Sequence, residues 1–145
     1  MIDGLLLPDV DDPVSGPFWA GCAAGELRVQ MCARCGRRRM PPRPMCPACQ
    51  SFDHRWETTD GRGTIWSFVV SHPPLLPAYG EQAPYNVVVV ALDADPTIRF
   101  VGNVVSEAGA RLDSVDPSTI AIGQCVRAVF GEVADGVWLP RWVEA

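Results

Sequence analysis

Alternating apolar and polar positions predict a chain built mainly from β-strands. After residue 61 such segments recur, and they predict five strands, at 64–70, 86–92, 99–105, 124–130 and 137–143. The four consecutive valines at 87–90 are typical of a strand that is buried on both faces. Five short antiparallel strands predict a small closed barrel, for which the OB-fold is the common solution; a small β-sandwich is the alternative.

The chain before this region follows a different pattern. Residues 1–14 are rich in aspartate and proline and predict an irregular arm. Segment 15–25 has a proline near its start and apolar residues at helical spacing, which predicts one short helix. The sequence therefore predicts three parts, an irregular arm or linker at 1–14, a helix with a metal-binding ribbon at 15–58, and an OB-fold domain at 59–145.

Two C-x-x-C pairs stand between predicted short strands at 26–31 and 55–57. They are Cys32 with Cys35 and Cys46 with Cys49, and ten residues separate them. Zinc is held tetrahedrally by four thiolates, and two facing pairs supply that set. Because the set is complete, it predicts one structural zinc ion (Zn²⁺) per chain and not a catalytic metal; disulfides or a redox site are the alternatives. The two remaining cysteines, at 22 and 125, have small or apolar neighbours and are predicted to be buried.

Arginines crowd the same segment. One of them is Arg34. The other four are the candidates for contacts to the phosphates of a nucleotide-bearing cofactor, and they are Arg37, Arg38, Arg39 and Arg43. Arginine binds phosphate in a bidentate manner, so these side chains could form an anion-binding edge. The alternative is that some of them neutralise the charge of the thiolate site and the others are solvated.

Composition limits the classes of function. The chain has 145 residues, a formal charge of −5 and 48% hydrophobic residues, enough for a packed core. No segment approaches the roughly 20 apolar residues that span a bilayer, and the N-terminus lacks the basic region of a signal peptide, so we expect a cytoplasmic protein without membrane contact. Single-stranded nucleic-acid binding is an alternative for an OB-fold, but the excess of acidic residues argues against it.

No set of residues in the sequence forms a recognisable catalytic group. His72 stands in a proline-rich loop without a visible partner, and Asp93 and Asp95 flank a turn, where carboxylates cap the backbone. The loop 72–85 is long and apolar, which is typical of a partner contact; a lid over the barrel is the alternative. The predicted contact residues come from this loop and from the helix, and they are Phe18, Trp19, Leu75, Leu76, Tyr79 and Tyr85.

Several short motifs, in their order along the chain, resemble those of a known family. Besides the two cysteine pairs they are Phe18-Trp19, Gly25-Glu26-Leu27, Pro41-Pro42-Arg43, Gly61-Arg62-Gly63-Thr64, Ala83-Pro84-Tyr85, Ile122-Gly123 and Leu139-Pro140. They extend from about residue 15 to the end of the chain. In this combination the chain resembles the acyl-CoA-associated OB-fold family, which carries an N-terminal rubredoxin-like zinc ribbon.

The resemblance implies a non-catalytic accessory role. It implies a thiolase-superfamily partner in a heterotetramer of two plus two subunits, as in thiolases and in aldolases that cleave steroid side chains. The partner would hold the catalytic residues for retro-aldol or thiolytic cleavage, so that this chain belongs to a lyase or acyltransferase complex and can border the path of the acyl-CoA. The family also implies an alternative partner, an enoyl-CoA hydratase of the hot-dog fold.

Overall fold

A computed structural model describes residues 4–145 of the chain. One helix, α1 (Gly16–Ala23), precedes a three-stranded antiparallel sheet in the order β2-β1-β3. The strands of this sheet are β1 (Arg28–Cys32), β2 (Arg38–Arg39) and β3 (His54–Thr58). Cys32 ends β1 and Cys35 follows in the turn to β2, while Cys46 and Cys49 lie between β2 and β3, so the small sheet and its turns form the ribbon.

The second sheet has five antiparallel strands in the order β6-β5-β4-β7-β8. They are β4 (Arg62–Ser71), β5 (Tyr85–Leu92), β6 (Arg99–Gly102), β7 (Cys125–Ala134) and β8 (Val137–Glu144). The chain after β6 closes the sheet on itself, because Val104 forms a parallel bridge with Trp142 of β8 and Val105 N donates to Trp142 O at 2.8 Å. The predicted mainly β fold, with a short helix, a four-cysteine ribbon and a five-stranded barrel, is confirmed.

One hydrophobic core joins the helix, the ribbon and the barrel. Phe18 and Cys22 of α1 and Leu27 and Val29 of the ribbon pack in the same cluster as the inward side chains of the barrel, among them Trp142. The rings of Phe18 and Phe100 stack with centroids 6.0 Å apart. The ribbon is therefore anchored to the barrel by apolar packing, not only by the chain that connects them.

Two sequence expectations about burial are wrong. Along the valine run of β5 only alternate positions are buried, so Val88 and Val90 face the core while Val87 and Val89 on the other face are half-exposed. Cys125 is exposed, because it precedes the inward-facing Val126 and strand side chains alternate between the two faces. The predicted proline-rich loop also contains a short helix, α2 (Pro77–Gly80), and the polar loop after β6 contains a 3₁₀ turn (Pro117–Thr119).

Candidate metal centre and the surfaces around it

The two cysteine pairs lie in turns of the same geometry. In the first turn Gly36 N donates to Cys32 O at 3.0 Å, and in the second Gln50 N donates to Cys46 O at 2.9 Å. Gly36 and Gln50, each four residues after the first cysteine of its pair, have positive φ angles of 74° and 62°. A glycine adopts this conformation freely, whereas a glutamine does so only at a cost. The second turn is therefore held by its surroundings and not by local preference.

The four cysteine sulfurs form one cluster. All four Sγ atoms lie within 4.8 Å of one another. Cys32 Sγ is 3.5 Å from Cys49 Sγ, and Cys35 Sγ is 3.7 Å from Cys46 Sγ. Sulfurs bound at about 2.3 Å to a tetrahedral zinc lie about 3.8 Å apart, so these separations fit that ion. Within residues 4–145 this is the one group of three or more histidine, cysteine or acidic side chains placed to hold a metal.

Backbone N–H groups favour the thiolate form at two of these cysteines. Cys35 N donates to Cys32 Sγ at 3.4 Å and lowers the pKa of that thiol to about 6, and the N–H of Cys49 lowers the pKa of Cys46. At Cys49 the N–H of Ser51 acts in the same direction, but burial and the neighbouring sulfurs outweigh it and raise the pKa to about 11. Negative sulfurs at such short separations are stabilised together only by a cation at their centre, which is what a divalent metal supplies.

Arg38 connects the ribbon to the barrel. Its Nε is 2.8 Å from Oε2 of Glu57 on β3, and its Nη1 is 3.5 Å from Oδ2 of Asp95, which follows β5. The guanidinium holds the pKa of the Glu57 carboxyl below its ordinary value of 4.5, and the carboxylate raises the pKa of Arg38. This side chain, one of the four expected to contact phosphate, therefore already has two carboxylate partners within the chain.

A buried glutamine fixes the loop between the two cysteine pairs. Gln30 Oε1 accepts hydrogen bonds from Arg39 Nε at 2.8 Å and from Arg43 N at 2.7 Å, and Gln30 Nε2 donates to Arg43 O at 3.0 Å. Arg39 is buried, whereas the Arg43 side chain is exposed, as is that of Arg37. Gln30 belongs to the motif before the first cysteine pair, but it stands at a polar position of an alternating segment, so its burial was not predicted from the sequence.

The residues predicted to contact a partner do not form one surface. Phe18 and Tyr85 are buried within the chain, and Trp19 is partly buried against the core beside Phe18. The remaining three lie in the connection between β4 and β5, where they are half-exposed or exposed, and they are Leu75, Leu76 and Tyr79. The helix and this loop therefore offer separate sets of accessible side chains.

The other polar candidates are dispersed. His54 and His72 are both exposed, and Asp93 Oδ1 accepts a hydrogen bond from Thr64 Oγ1 at 2.9 Å beside the turn after β5. Cys22 lies in the core, where burial raises the pKa of its thiol to about 12. Within the described part of the chain, no helix has the length and apolar character needed to cross a membrane.

Comparison with known proteins identifies both parts of the chain. Residues 19–55 match the family model described as the rubredoxin-like zinc ribbon domain of ChsH2, and residues 56–131 match the model of the ChsH2 C-terminal OB-fold domain. The fold is also similar to a chain of a solved structure, the Ltp2-ChsH2(DUF35) aldolase. The TM-score is 0.80 and the identity 29%, over 94% of this chain and 98% of that chain.

Two curated relatives carry hydratase names. The chain is 36% identical over 118 residues to the 3-oxo-4,17-pregnadiene-20-carboxyl-CoA hydratase alpha subunit of Mycobacterium tuberculosis. The matched region covers 81% of this chain and 34% of that protein. It is 38% identical over 99 residues to a probable enoyl-CoA hydratase alpha subunit of Thermomonospora curvata, covering 66% of this chain and 29% of that protein. The chain thus spans about a third of the length of these relatives.

Proposed function

Because the chain belongs to the ChsH2 family of proteins with a rubredoxin-like zinc ribbon and an OB-fold domain, we propose that it is the accessory subunit of a thiolase-like enzyme acting on acyl-CoA. In this proposal the partner carries the catalytic residues, and the complex cleaves a carbon–carbon bond in lipid or steroid side-chain degradation. The similarity to the aldolase chain carries the proposal, because it extends over nearly the whole of both chains. The proposed assembly contains two copies of each subunit.

Zinc is the proposed ion of the cysteine cluster, with a structural role. Cys32, Cys35, Cys46 and Cys49 would fill all four of its positions, so a bound zinc would stabilise the ribbon and leave no position for a substrate. When bound, the ion would cross-link two turns that have little apolar core of their own. The ribbon in turn contributes Leu27, which precedes β1, and Val29 of β1 to the common core, so the metal would support the whole chain.

Acyl-CoA is proposed to pass along the border between this chain and its partner. Of the four arginines considered for phosphate contact, Arg37 and Arg43 have exposed side chains, whereas Arg38 is paired with carboxylates and Arg39 is buried. The exposed pair is therefore the better candidate for reaching a phosphate of CoA. Neither side chain forms a salt bridge with any of residues 4–145.

A hydratase partner is the second candidate. The names of the two curated relatives favour it, since both are alpha subunits of hydratases. The names belong to proteins about three times as long as the matched region, so they describe more sequence than this chain shares with them. The aldolase chain is matched almost completely, and we therefore place the thiolase-like partner first.

Co-expression separates these candidates. The chain is produced with a candidate thiolase-like protein of the same organism, the mixture is analysed by size-exclusion chromatography, and cleavage of acyl-CoA substrates is measured. We expect a stable complex that cleaves substrate only when both chains are present. The proposal fails if the two proteins elute separately and the thiolase-like protein is fully active alone. Water addition to an enoyl-CoA by a complex of this chain with a hot-dog-fold protein would instead support a hydratase partner.

A further inference from the structure

The outer surface of strands β4, β5 and β6 is largely apolar. We call it the outer valine face, and it consists of Trp66, Ser67, Val69, Val87, Val89, Arg99 and Val101. Ser67 is half-buried and lies opposite Val89. Val101 of β6 is paired with Val89 of β5, and Val87 of β5 is paired with Val69 of β4. The exposed fractions of Val101, Val69 and Trp66 are 74%, 61% and 51%. Side chains that protrude this far belong to the surface and not to the rim of the core.

An antiparallel sheet with one solvated face normally has polar side chains on that face. Here β5 has valine on both faces, although the fold buries only Val88 and Val90. The β-bulge at Trp66 adds an exposed aromatic ring to this face. Contiguous apolar patches of this kind mark interaction sites, because a large apolar surface in water is unfavourable. The valines of β5 thus suit a strand that is packed on both faces. Within residues 4–145 of this chain only the face with Val88 and Val90 is packed against other residues.

The outer valine face continues into a groove between the helix, the ribbon and the barrel. Arg99 and Val101 line one side of this groove, and its other walls are Trp19 of α1, the loop Met40-Pro41-Pro42 and Leu139-Pro140 of β8. The groove is held in shape by the Gln30 hydrogen bonds at one end of the ribbon loop and by the packing of Trp19 on Phe18, with ring centroids 4.9 Å apart. Face and groove therefore form one continuous and largely apolar surface.

The charged groups of this surface all have the same sign. Arg99 lies on the face, with its guanidinium 3.8 Å from the centroid of the Trp66 ring, and Arg141 lines the groove. Neither forms a salt bridge with any of the described residues 4–145. The protein as a whole has an excess of acidic residues, with a formal charge of −5. A surface whose charged side chains are arginines alone is complementary to a partner that presents carboxylates.

We propose that the outer valine face and its groove are the surface on which the thiolase-like subunit docks, with an apolar patch and a carboxylate opposite Arg99. This inference rests on the proposed function and adds the site of contact. A second copy of this chain fits less well, because a two-fold symmetric contact would place the arginine-only surface against itself. The contact has an apolar centre with an aromatic and an arginine side chain, which are the residue types that contribute most to binding energy at interfaces.

The test compares single substitutions in the co-expressed complex. Val101→Asp places a charge in the centre of the proposed contact, and Arg99→Glu reverses the charge opposite the partner's carboxylate. We expect Val101→Asp to raise the Kd for the thiolase-like subunit at least about 100-fold, equivalent to about 2.7 kcal/mol, and Arg99→Glu to raise it about 10-fold or more. The matched control is Phe52→Asp at the ribbon surface, where the side chain is also exposed, and its Kd should stay within about 2-fold of the unmodified chain.

Each outcome leads to a different conclusion. Thermal denaturation of the isolated variants should show little change, because Val101 and Phe52 are exposed. If a folded Val101→Asp variant binds as tightly as the unmodified chain, the proposed surface is wrong. A loss of binding in Leu76→Asp alone would place the contact at the loop between β4 and β5. Self-association that Val101→Asp abolishes would assign the face to a second copy. If the unmodified chain binds no thiolase-like subunit at all, the proposed function itself fails.

Discussion

Asn86 closes the barrel, and its replacement gives a direct measure of that closure. The residue begins the inward side of β5 and has an exposed fraction of 0%. Its Nδ2 donates to Val104 O at 2.8 Å, and its Oδ1 accepts from Val104 N at 2.7 Å. The side-chain amide thus makes the pair of hydrogen bonds that a neighbouring strand would make. It connects β5 to the segment that joins β8 in parallel.

Asn86→Ala would leave the buried N–H and C=O of Val104 without partners. A buried backbone group that loses its partner costs about 1–3 kcal/mol, so the two together should lower the free energy of unfolding by about 2–6 kcal/mol. A domain of this size has a total stability of about 5–15 kcal/mol, so the loss is a large fraction of it. The melting temperature should fall by roughly 10 °C.

Urea denaturation followed by fluorescence, at a fixed zinc concentration, gives the required free energies. The control is Asn103→Ala, because Asn103 Nδ2 donates to Asn86 O at 2.6 Å but the residue is only half-buried, and we expect a loss of about 1 kcal/mol. The Asn86→Asp variant should have a higher free energy of unfolding at acid pH than at neutral pH, because a protonated carboxyl can still donate to Val104 O. A loss for Asn86→Ala below about 1 kcal/mol, or equal to that of the control, would refute the closure role of this amide.

Three further outcomes follow from the ribbon. Cys46→Ser should abolish stoichiometric zinc binding, measured by metal analysis, while the exposed Cys125→Ser retains it; equal zinc content would contradict the four-sulfur site. Gln50→Gly should raise the free energy of unfolding by about 1 kcal/mol, because φ is 62° there, and a loss of stability would show that the side chain has another role. Arg38→Ala should cost less than about 1 kcal/mol at pH 7. Because Arg38 lowers the pKa of Glu57, this contribution is present above pH 4.5 and lost as the pH falls below it, so urea midpoints of the two proteins should converge in acid.

The sequence contained enough to predict the four-cysteine cluster and most of the strands. Ligand spacing is a local property: two C-x-x-C pairs ten residues apart can meet wherever a short hairpin brings them together, and the four sulfurs do cluster. Strand positions follow from alternation, which is also local, and the order of motifs was sufficient to identify the family. The short helix α2 was missed, because its four residues, Pro77–Gly80, are too few to produce a helical pattern.

The sequence by itself determined which four cysteines form a cluster that could hold a metal and which segments form strands, because both depend on near neighbours in the chain. Only the tertiary structure decided which face of β5 is covered, that Cys125 is exposed, and that Arg38 is paired with Glu57 and Asp95. These outcomes depend on contacts between residues far apart in the sequence, which alternation and spacing do not report. The four valines at 87–90 are equally apolar, and only the pairing of β5 with β4 and β6 places Val87 and Val89 on the outer face.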